Sequence, residues 1–227
     1  MVGNQTQPRL ISLDTADLRA TLELFPGVWQ AAEQLGDPDK TVRNQALDEL
    51  LQTEAHRISP LIAYLLTTRI VDPDLRIRMR IVETLANVMR RDAEGRYAID
   101  AVRSHVISGL ANFGDVGILT LLELASIDAG LIPHINKLLN FIPKSGEYLK
   151  EVAGDRSKNI DLRKIAIYFI GKLGYIDAEN ELKRIRNRIE AKQGSQKRMP
   201  FAPPAVDDSE EILLQEIKKT LSILRIE

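Results

Sequence analysis

Cysteine is absent from the 227-residue chain, and histidine occurs only at His56, His105 and His134. The lack of cysteine excludes disulfides, thiolate catalysis and the zinc or iron–sulfur sites that thiolates build. Three scattered histidines leave little for an imidazole-based metal site. Glycine-rich phosphate loops, H-E-x-x-H pairs and nucleophile elbows do not occur. We therefore expect no metal, no cofactor and no catalytic residues, and we predict that the protein is not an enzyme.

A charge excess of either sign is also missing. The chain has 31 Lys and Arg against 32 Asp and Glu, a formal net charge of -1. Proteins that coat nucleic acids or membrane surfaces usually need net positive charge, so both classes are disfavoured. The longest apolar-rich stretch, 117–132, contains Glu123 and Asp128 and is too interrupted to span a bilayer. With no signal peptide visible either, we expect a cytoplasmic protein.

Aromatic residues make up only 5% of the chain, whereas hydrophobic residues as a whole make up 44%. A composition dominated by Leu, Ile, Ala and Val favours helix-on-helix packing over a β-sandwich, and strict apolar–polar alternation is not found. The sequence therefore predicts an all-α chain. The predicted helices span residues 15–24, 26–35, 41–52, 58–70, 74–89, 96–111, 116–126, 131–141, 147–152, 159–173, 178–192 and 209–224.

Two of these helices have closely similar sequences. GDPDKTVRNQALDELL at 36–51 aligns with VDPDLRIRMRIVETLA at 71–86, so Arg78 follows Arg43 by 35 residues. In each copy an Asp-Pro-Asp turn should cap the helix, because an Asp side chain accepts from the first free N–H groups. The arginine inside the helix can pair with an Asp of its own turn or the neighbouring turn, although it could also belong to a row that binds a ligand.

The same apolar spacing of i, i+4 and i+8 occurs further along the chain. The other copies carry Val102, Val106 and Leu110 with Arg103; Leu131, Ile135 and Leu139 with no arginine; Leu162, Ala166 and Ile170 with Arg163; and Leu213, Ile217 and Leu221. The step from Arg78 to Arg103 is only 25 residues, which suggests a degenerate or missing helix near 90–100. One helix pair cannot bury such a stripe alone, whereas stacked pairs can.

The pattern D-x-x-x-V-R-x-x-A-x-x-x-L, recurring in helix pairs, resembles the HEAT-repeat family. GKLGYIDA at 171–178 and FGD at 113–115 are similar to junctions between its units. The resemblance covers about 26–192, with a looser continuation at 209–224. It implies a right-handed α–α solenoid of about five helix pairs. The expected organisation is a disordered lead at 1–13, the solenoid at 14–192, a flexible loop at 193–208 and a C-terminal capping helix within 209–227.

A solenoid offers an extended concave surface, so the resemblance implies a scaffold or adaptor that binds another protein of unknown identity. Two alternatives stay open. One is a nucleic-acid-binding HEAT-like protein, which the charge balance disfavours. The other is a subunit like the phycobilin lyases, which share the repeat pattern. We expect no membrane association.

Second helices of such pairs line the concave side, and this places four residues of helix 74–89 on one face: Arg76, Arg80, Glu83 and Asn87. Tyr168 and Lys172 take the equivalent face of a later repeat. We predict that these six residues contact the partner. A merely solvated face, with Tyr168 packed inward, is the alternative interpretation.

Basic residues concentrate at 183–198, with seven basic side chains against the single acid Glu190. For the nucleic-acid alternative, Lys183, Arg184, Arg186, Arg188 and Lys192 would contact phosphates. Only Phe201 is an aromatic neighbour, so base stacking is poorly supported. The alternative interpretation is a solvated helix end that is neutralised by the acids at 207–211.

Overall fold

The computed structural model describes residues 26–196 and 210–224. The lead at 1–13, the helix at 15–24 and the loop beyond residue 196 therefore lie outside the described residues. Within them the structure contains twelve α-helices, and its only β feature is an isolated bridge between Arg91 and Tyr97. The prediction of an all-α chain is confirmed.

The helices follow one another with short connections. They are α1 (Pro26–Gln34), α2 (Lys40–Gln52), α3 (Ala55–Ile58), α4 (Pro60–Thr68), α5 (Leu75–Val88), α6 (Asp100–Asn112), α7 (Gly114–Ile127), α8 (Ile132–Leu139), α9 (Ser145–Gly154), α10 (Ile160–Leu173), α11 (Glu179–Gln196) and α12 (Glu211–Leu224). Helix α11 is longer than predicted and continues through the first residues of the predicted loop. The predicted helix at 96–111 begins later, at Asp100.

The Asp-Pro-Asp turns cap their helices as the sequence predicts. The Asp39 carboxylate accepts a hydrogen bond from the backbone N–H of Thr41 at 2.8 Å, at the start of α2. Asp74 accepts from Arg76 at 2.9 Å and from Ile77 at 3.2 Å, at the start of α5. Each of these bonds satisfies an N–H group that has no partner inside the helix, which fixes where the helix begins.

The helices pack in two rows. The first-row helices α4, α6, α7, α9 and α11 contact one another in that order. The second-row helices α5, α8, α10 and α12 do the same, and α2 joins them through side-chain hydrogen bonds to the α4–α5 turn and α5. The rows pack against each other through the pairs α1–α2, α4–α5, α7–α8, α9–α10 and α11–α12.

The core lies between the rows and consists of the predicted apolar stripes. On α5, for example, Ile77, Ile81 and Leu85 are no more than 1% exposed. The stripes on α6, α8 and α12 are buried as well, as are Ala166 and Ile170 on α10. At about 25 cal/mol for each Å² of apolar surface removed from water, this burial is the main source of stability.

One region departs from the regular stacking of helix pairs that the repeat pattern predicts. Helix α6 carries Arg103 in the same spacing as Arg43, yet it packs in the first row against α4, and α5 contacts α8 directly. Gly109 permits this close approach, because a Cβ atom there would lie 2.1 Å from the Thr67 hydroxyl oxygen. Helix α7 then turns away by 97° at Gly114, whose φ of +51° favours glycine. Residues 89–99 contain no helix.

Candidate partner-binding surface

Arg43 is a buried connector between two successive turns. Its guanidinium donates to both carboxylate oxygens of Asp72, at 2.9 and 3.0 Å, and to the backbone carbonyls of Asp37 and Pro38. Arg43 and Asp72 are 6% and 4% exposed. Pairing with the neighbouring turn is one of the two arrangements that the sequence allows for this arginine. Its donors are used inside the protein, so Arg43 is not arranged to meet a ligand.

Arg163 on α10 is buried in a different way. It donates to the backbone carbonyl of Ala153 at 3.1 Å and to Glu210 at 3.2 Å, and it is 3% exposed. Glu210 directly precedes α12 and also accepts from Arg188 at 2.9 Å and Lys192 at 3.5 Å. One carboxylate thus ties α10 and α11 to the start of α12.

The ionisation of Glu210 follows from this environment. Burial raises the pKa of the carboxyl, but the hydrogen bond from Arg163 and the positive charges of Arg188 and Lys192 outweigh burial, and the net pKa is lowered. The carboxylate is therefore ionised at neutral pH and compensates the buried Arg163 charge.

The other two arginines of the repeat pattern behave differently. The buried Nε of Arg78 has no hydrogen-bond partner among the described residues. Arg103 pairs with Asp100, three residues earlier on its own helix. The four arginines therefore do not form one continuous row of ion pairs between units, although two of them join neighbouring units.

The predicted contact residues of α5 share one face but differ in availability. Arg76, Glu83 and Asn87 are exposed, as the prediction requires. Arg80 reaches across to α2, where it donates to the side-chain oxygens of Asn44 and Asp48. Arg80 therefore joins two second-row helices, and a partner would have to compete with Asp48 for its charge.

Tyr168 and Lys172 lie at the corresponding face of α10. Lys172 is exposed, whereas Tyr168 is half-buried and its ring meets that of Phe169 edge-on, with centroids 5.4 Å apart. The ammonium of Lys172 lies 5.4 Å from the Tyr168 ring centroid, and that of Lys219 on α12 lies 6.0 Å away. Tyr168 is thus partly a packing residue, and it also holds two lysines at the surface.

The structure contains two further sites at which a basic side chain lies over an aromatic ring, and the sequence did not predict them. The ammonium of Lys137 on α8 lies 5.3 Å from the ring centroid of Phe141, which directly follows that helix's C-terminal turn. The guanidinium carbons of Arg91 and Arg103 each lie 4.8 Å from the ring centroid of Tyr97. The i, i+4 spacing of Lys137 and Phe141 is visible in the sequence. The approach of Arg103 to Tyr97 depends on where α6 packs, which the sequence does not reveal.

Tyr97 is linked electrostatically to α8. A hydrogen bond from Arg91 lowers the pKa of the Tyr97 phenol, and the positive charges of Arg91, Lys137 and Arg103 act in the same direction. The Tyr97 site and the Lys137 site therefore lie close enough to share one electropositive environment.

The predicted basic patch of α11 is largely neutralised. Each of its five residues has a carboxylate oxygen within 4 Å: Lys183 meets Glu179, Arg184 meets Glu181, Arg186 meets Glu190, and Arg188 and Lys192 meet Glu210. This is the arrangement expected for a solvated, ion-paired helix.

The three histidines lie apart, and no group of three metal-ligating side chains occurs in residues 26–196 and 210–224. His56 Nδ1 lies 3.5 Å from the Leu50 carbonyl, and burial lowers the pKa of its imidazole. The Nδ1 of His105 hydrogen-bonds the Ala101 carbonyl at 2.7 Å. The structure does not bring these rings together into one site.

No single described helix is both long and apolar enough to cross a membrane; α6 and α7 qualify only as a pair, with their 97° bend.

Comparisons with known proteins do not identify a family for this chain. No family model and no curated protein matches the chain. Among solved structures, the crystal structure of an engineered protein matches 85% of this chain and 97% of its own, at 15% identity and a TM-score of 0.30. That score is too low to indicate a shared fold.

Proposed function

We propose that the protein is a non-enzymatic scaffold that binds another protein through its second-row helices, and that these helices belong to a right-handed HEAT-like solenoid of about five pairs. The solenoid proposal is supported by the repeated Asp-Pro-Asp caps and by the contact of each second-row helix with the next. The Arg43–Asp72 pair adds support, because it fastens successive turns together.

The observation that carries the binding proposal is the exposed face of the second row. Aligning Arg78 with Arg163 brings Glu83 and Asn87 of α5 into register with Tyr168 and Lys172 of α10. Equivalent positions of two helices therefore present side chains to solvent at Glu83, Asn87 and Lys172. A face that recurs from helix to helix provides the extended contact area that protein partners need.

The alternative of a nucleic-acid-binding protein rests on the α11 patch. The ion pairs of that patch weigh against it, because a phosphate would have to displace Glu179, Glu181, Glu190 and Glu210 from their cations. For the phycobilin-lyase alternative, no specific observation in the described residues favours it over the scaffold.

Site-specific photo-crosslinking in cells tests the binding proposal. A photoreactive amino acid at Glu83 or Lys172 should give a crosslinked product with the same partner from both positions. The matched controls are Leu61 on α4 and Val116 on α7, which are exposed but lie in the first row. Equal yields of that product from the control positions, or no product from either second-row position, would contradict the proposal.

A further inference from the structure

Four basic side chains lie over aromatic rings without an acidic partner. They are Arg91 over Tyr97, Lys137 over Phe141, and Lys172 and Lys219 over Tyr168. None of the four forms an ion pair with a carboxylate in the part of the chain that the structure describes, unlike the five basic residues of the α11 patch. Their charges are therefore available at the surface.

The three lysines among them occupy equivalent or adjacent positions on neighbouring second-row helices. In the register of the apolar stripes, the position of Glu83 on α5 is occupied by Asp48 on α2, Lys137 on α8, Tyr168 on α10 and Lys219 on α12. The same position is thus acidic at the α2–α5 end and basic or aromatic from α8 to α12. At this one position the charge changes sign along the row, although Arg76 and Arg80 also place basic side chains on this face of α5.

The rings hold these cations in place. A cation is attracted to the electron-rich face of an aromatic ring, and this attraction restricts the flexible side chain before any partner arrives. Less side-chain entropy is then lost when a carboxylate binds. The same arrangement disfavours nucleic acid, because the basic groups occupy ring faces that bases would need for stacking.

We infer that the face formed by α8, α10 and α12, which we call the cation–ring face, binds an acidic peptide segment of the partner protein. This inference rests on the proposed function and specifies its partner. Charge complementarity selects the occupant: carboxylates meet Lys137, Lys172 and Lys219, and the exposed Ile223 beside them offers contact to an apolar side chain.

Selection of random peptides displayed on phage against the immobilised full-length protein tests the inference. We expect enriched peptides to be rich in Asp and Glu and to lose about tenfold in affinity for the Lys172→Glu/Lys219→Glu variant, measured by fluorescence anisotropy. The matched control is Lys150→Glu/Lys158→Glu, which changes the net charge equally but lies on α9 and in the turn after it. The control should bind as the wild type does. Circular dichroism melting checks that both variants are folded.

Several outcomes would overturn the inference. Enrichment of neutral or basic peptides, or equal binding by both variants, would refute the acidic segment and leave the protein-binding proposal standing. No enriched peptide would refute it too, and the photo-crosslinking result would then decide the proposed function separately. Binding of labelled oligo(dT) to the cation–ring face in place of acidic peptides would identify a nucleic-acid surface instead.

Discussion

Replacing Glu210 with alanine measures how firmly the C-terminal helix is held on the protein. Glu210 is the carboxylate that meets Arg163 and Arg188, and its side chain is 8% exposed. Its removal leaves the Arg163 guanidinium buried, with the Ala153 carbonyl as its remaining acceptor among these contacts. An uncompensated buried charge costs about 3–5 kcal/mol, and the retained hydrogen bond favours the lower end of that range.

We therefore expect Glu210→Ala to lower the free energy of unfolding by about 3 kcal/mol, which for a chain of this size corresponds to a melting temperature lower by about 6–12 °C. The loss should begin locally, because α12 is the last described helix of its row and packs mainly on α10 and α11. Hydrogen exchange followed by mass spectrometry should show faster exchange in α12 and unchanged exchange in α2. Urea unfolding gives the global value.

Two variants make this prediction refutable. Arg156→Ala removes a side chain that is 55% exposed and 3.8 Å from Glu210, so it should change stability by less than about 1 kcal/mol. Arg163→Met/Glu210→Leu replaces the whole buried pair with apolar groups and should recover most of the lost stability. If the double variant is as unstable as Glu210→Ala, the buried charge is not the cause of the loss.

Acid should remove the contribution of Glu210 to the stability of the fold. Its pKa is lowered in the folded protein, so the ionised group stabilises the fold above the ordinary pKa of a glutamate and loses that effect as the pH falls through the lowered value. The stability difference between the wild type and Glu210→Gln should therefore be largest near neutral pH and shrink in acid, in urea titrations at a series of pH values. A difference that stays constant would contradict the assigned ionisation.

Three further predictions concern the core and His56. Gly109→Ala should destabilise by about 1–3 kcal/mol in urea unfolding, because its Cβ would meet buried Thr67; an unchanged midpoint would refute the close approach. Leu85→Ala should cost about 2–5 kcal/mol, and Tyr168→Ala should cost less because its ring is only half-buried; equal losses of melting temperature would make Tyr168 a core residue. Since burial lowers the pKa of His56, stability should fall as the pH drops below about 6.5, and His56→Gln should reduce that slope in the same titrations.

The parts of the fold that the sequence predicted are those with local causes. The cap of Asp74 depends on atoms two and three residues away, and the stripe of Ile77, Ile81 and Leu85 depends on helical period alone. Neighbour order has no such local cause. Arg103 sits in the repeat spacing, but α6 packs in the first row, where Gly109 lies against Thr67, a contact between residues far apart in sequence.

The candidate surface was predictable to a similar degree. The exposure of Glu83, Asn87 and Lys172 follows from helical period, and it agrees with the structure. The tie between Arg80 and Asp48 and the partial burial of Tyr168 were not predictable, because both depend on the distance between adjacent helices. The ion pairs of α11 are of both kinds. Its pairs at i, i+4 could be predicted from the sequence spacing, whereas the pairing with Glu210 depends on how α12 packs.

Helices α5 and α8 are in direct contact in space although α6 and α7 lie between them along the chain. Residues 89–131 leave the second row and return to it without adding a helix there, because α6 and α7 pack in the first row while α5 contacts α8 directly. A partner that spans α5 and α8 would meet a continuous surface and would not sense how much chain lies between them. The exposed turn at 93–97 could therefore be lengthened with little effect on what the second row binds, whereas α6 and α7 are held by their contacts in the first row.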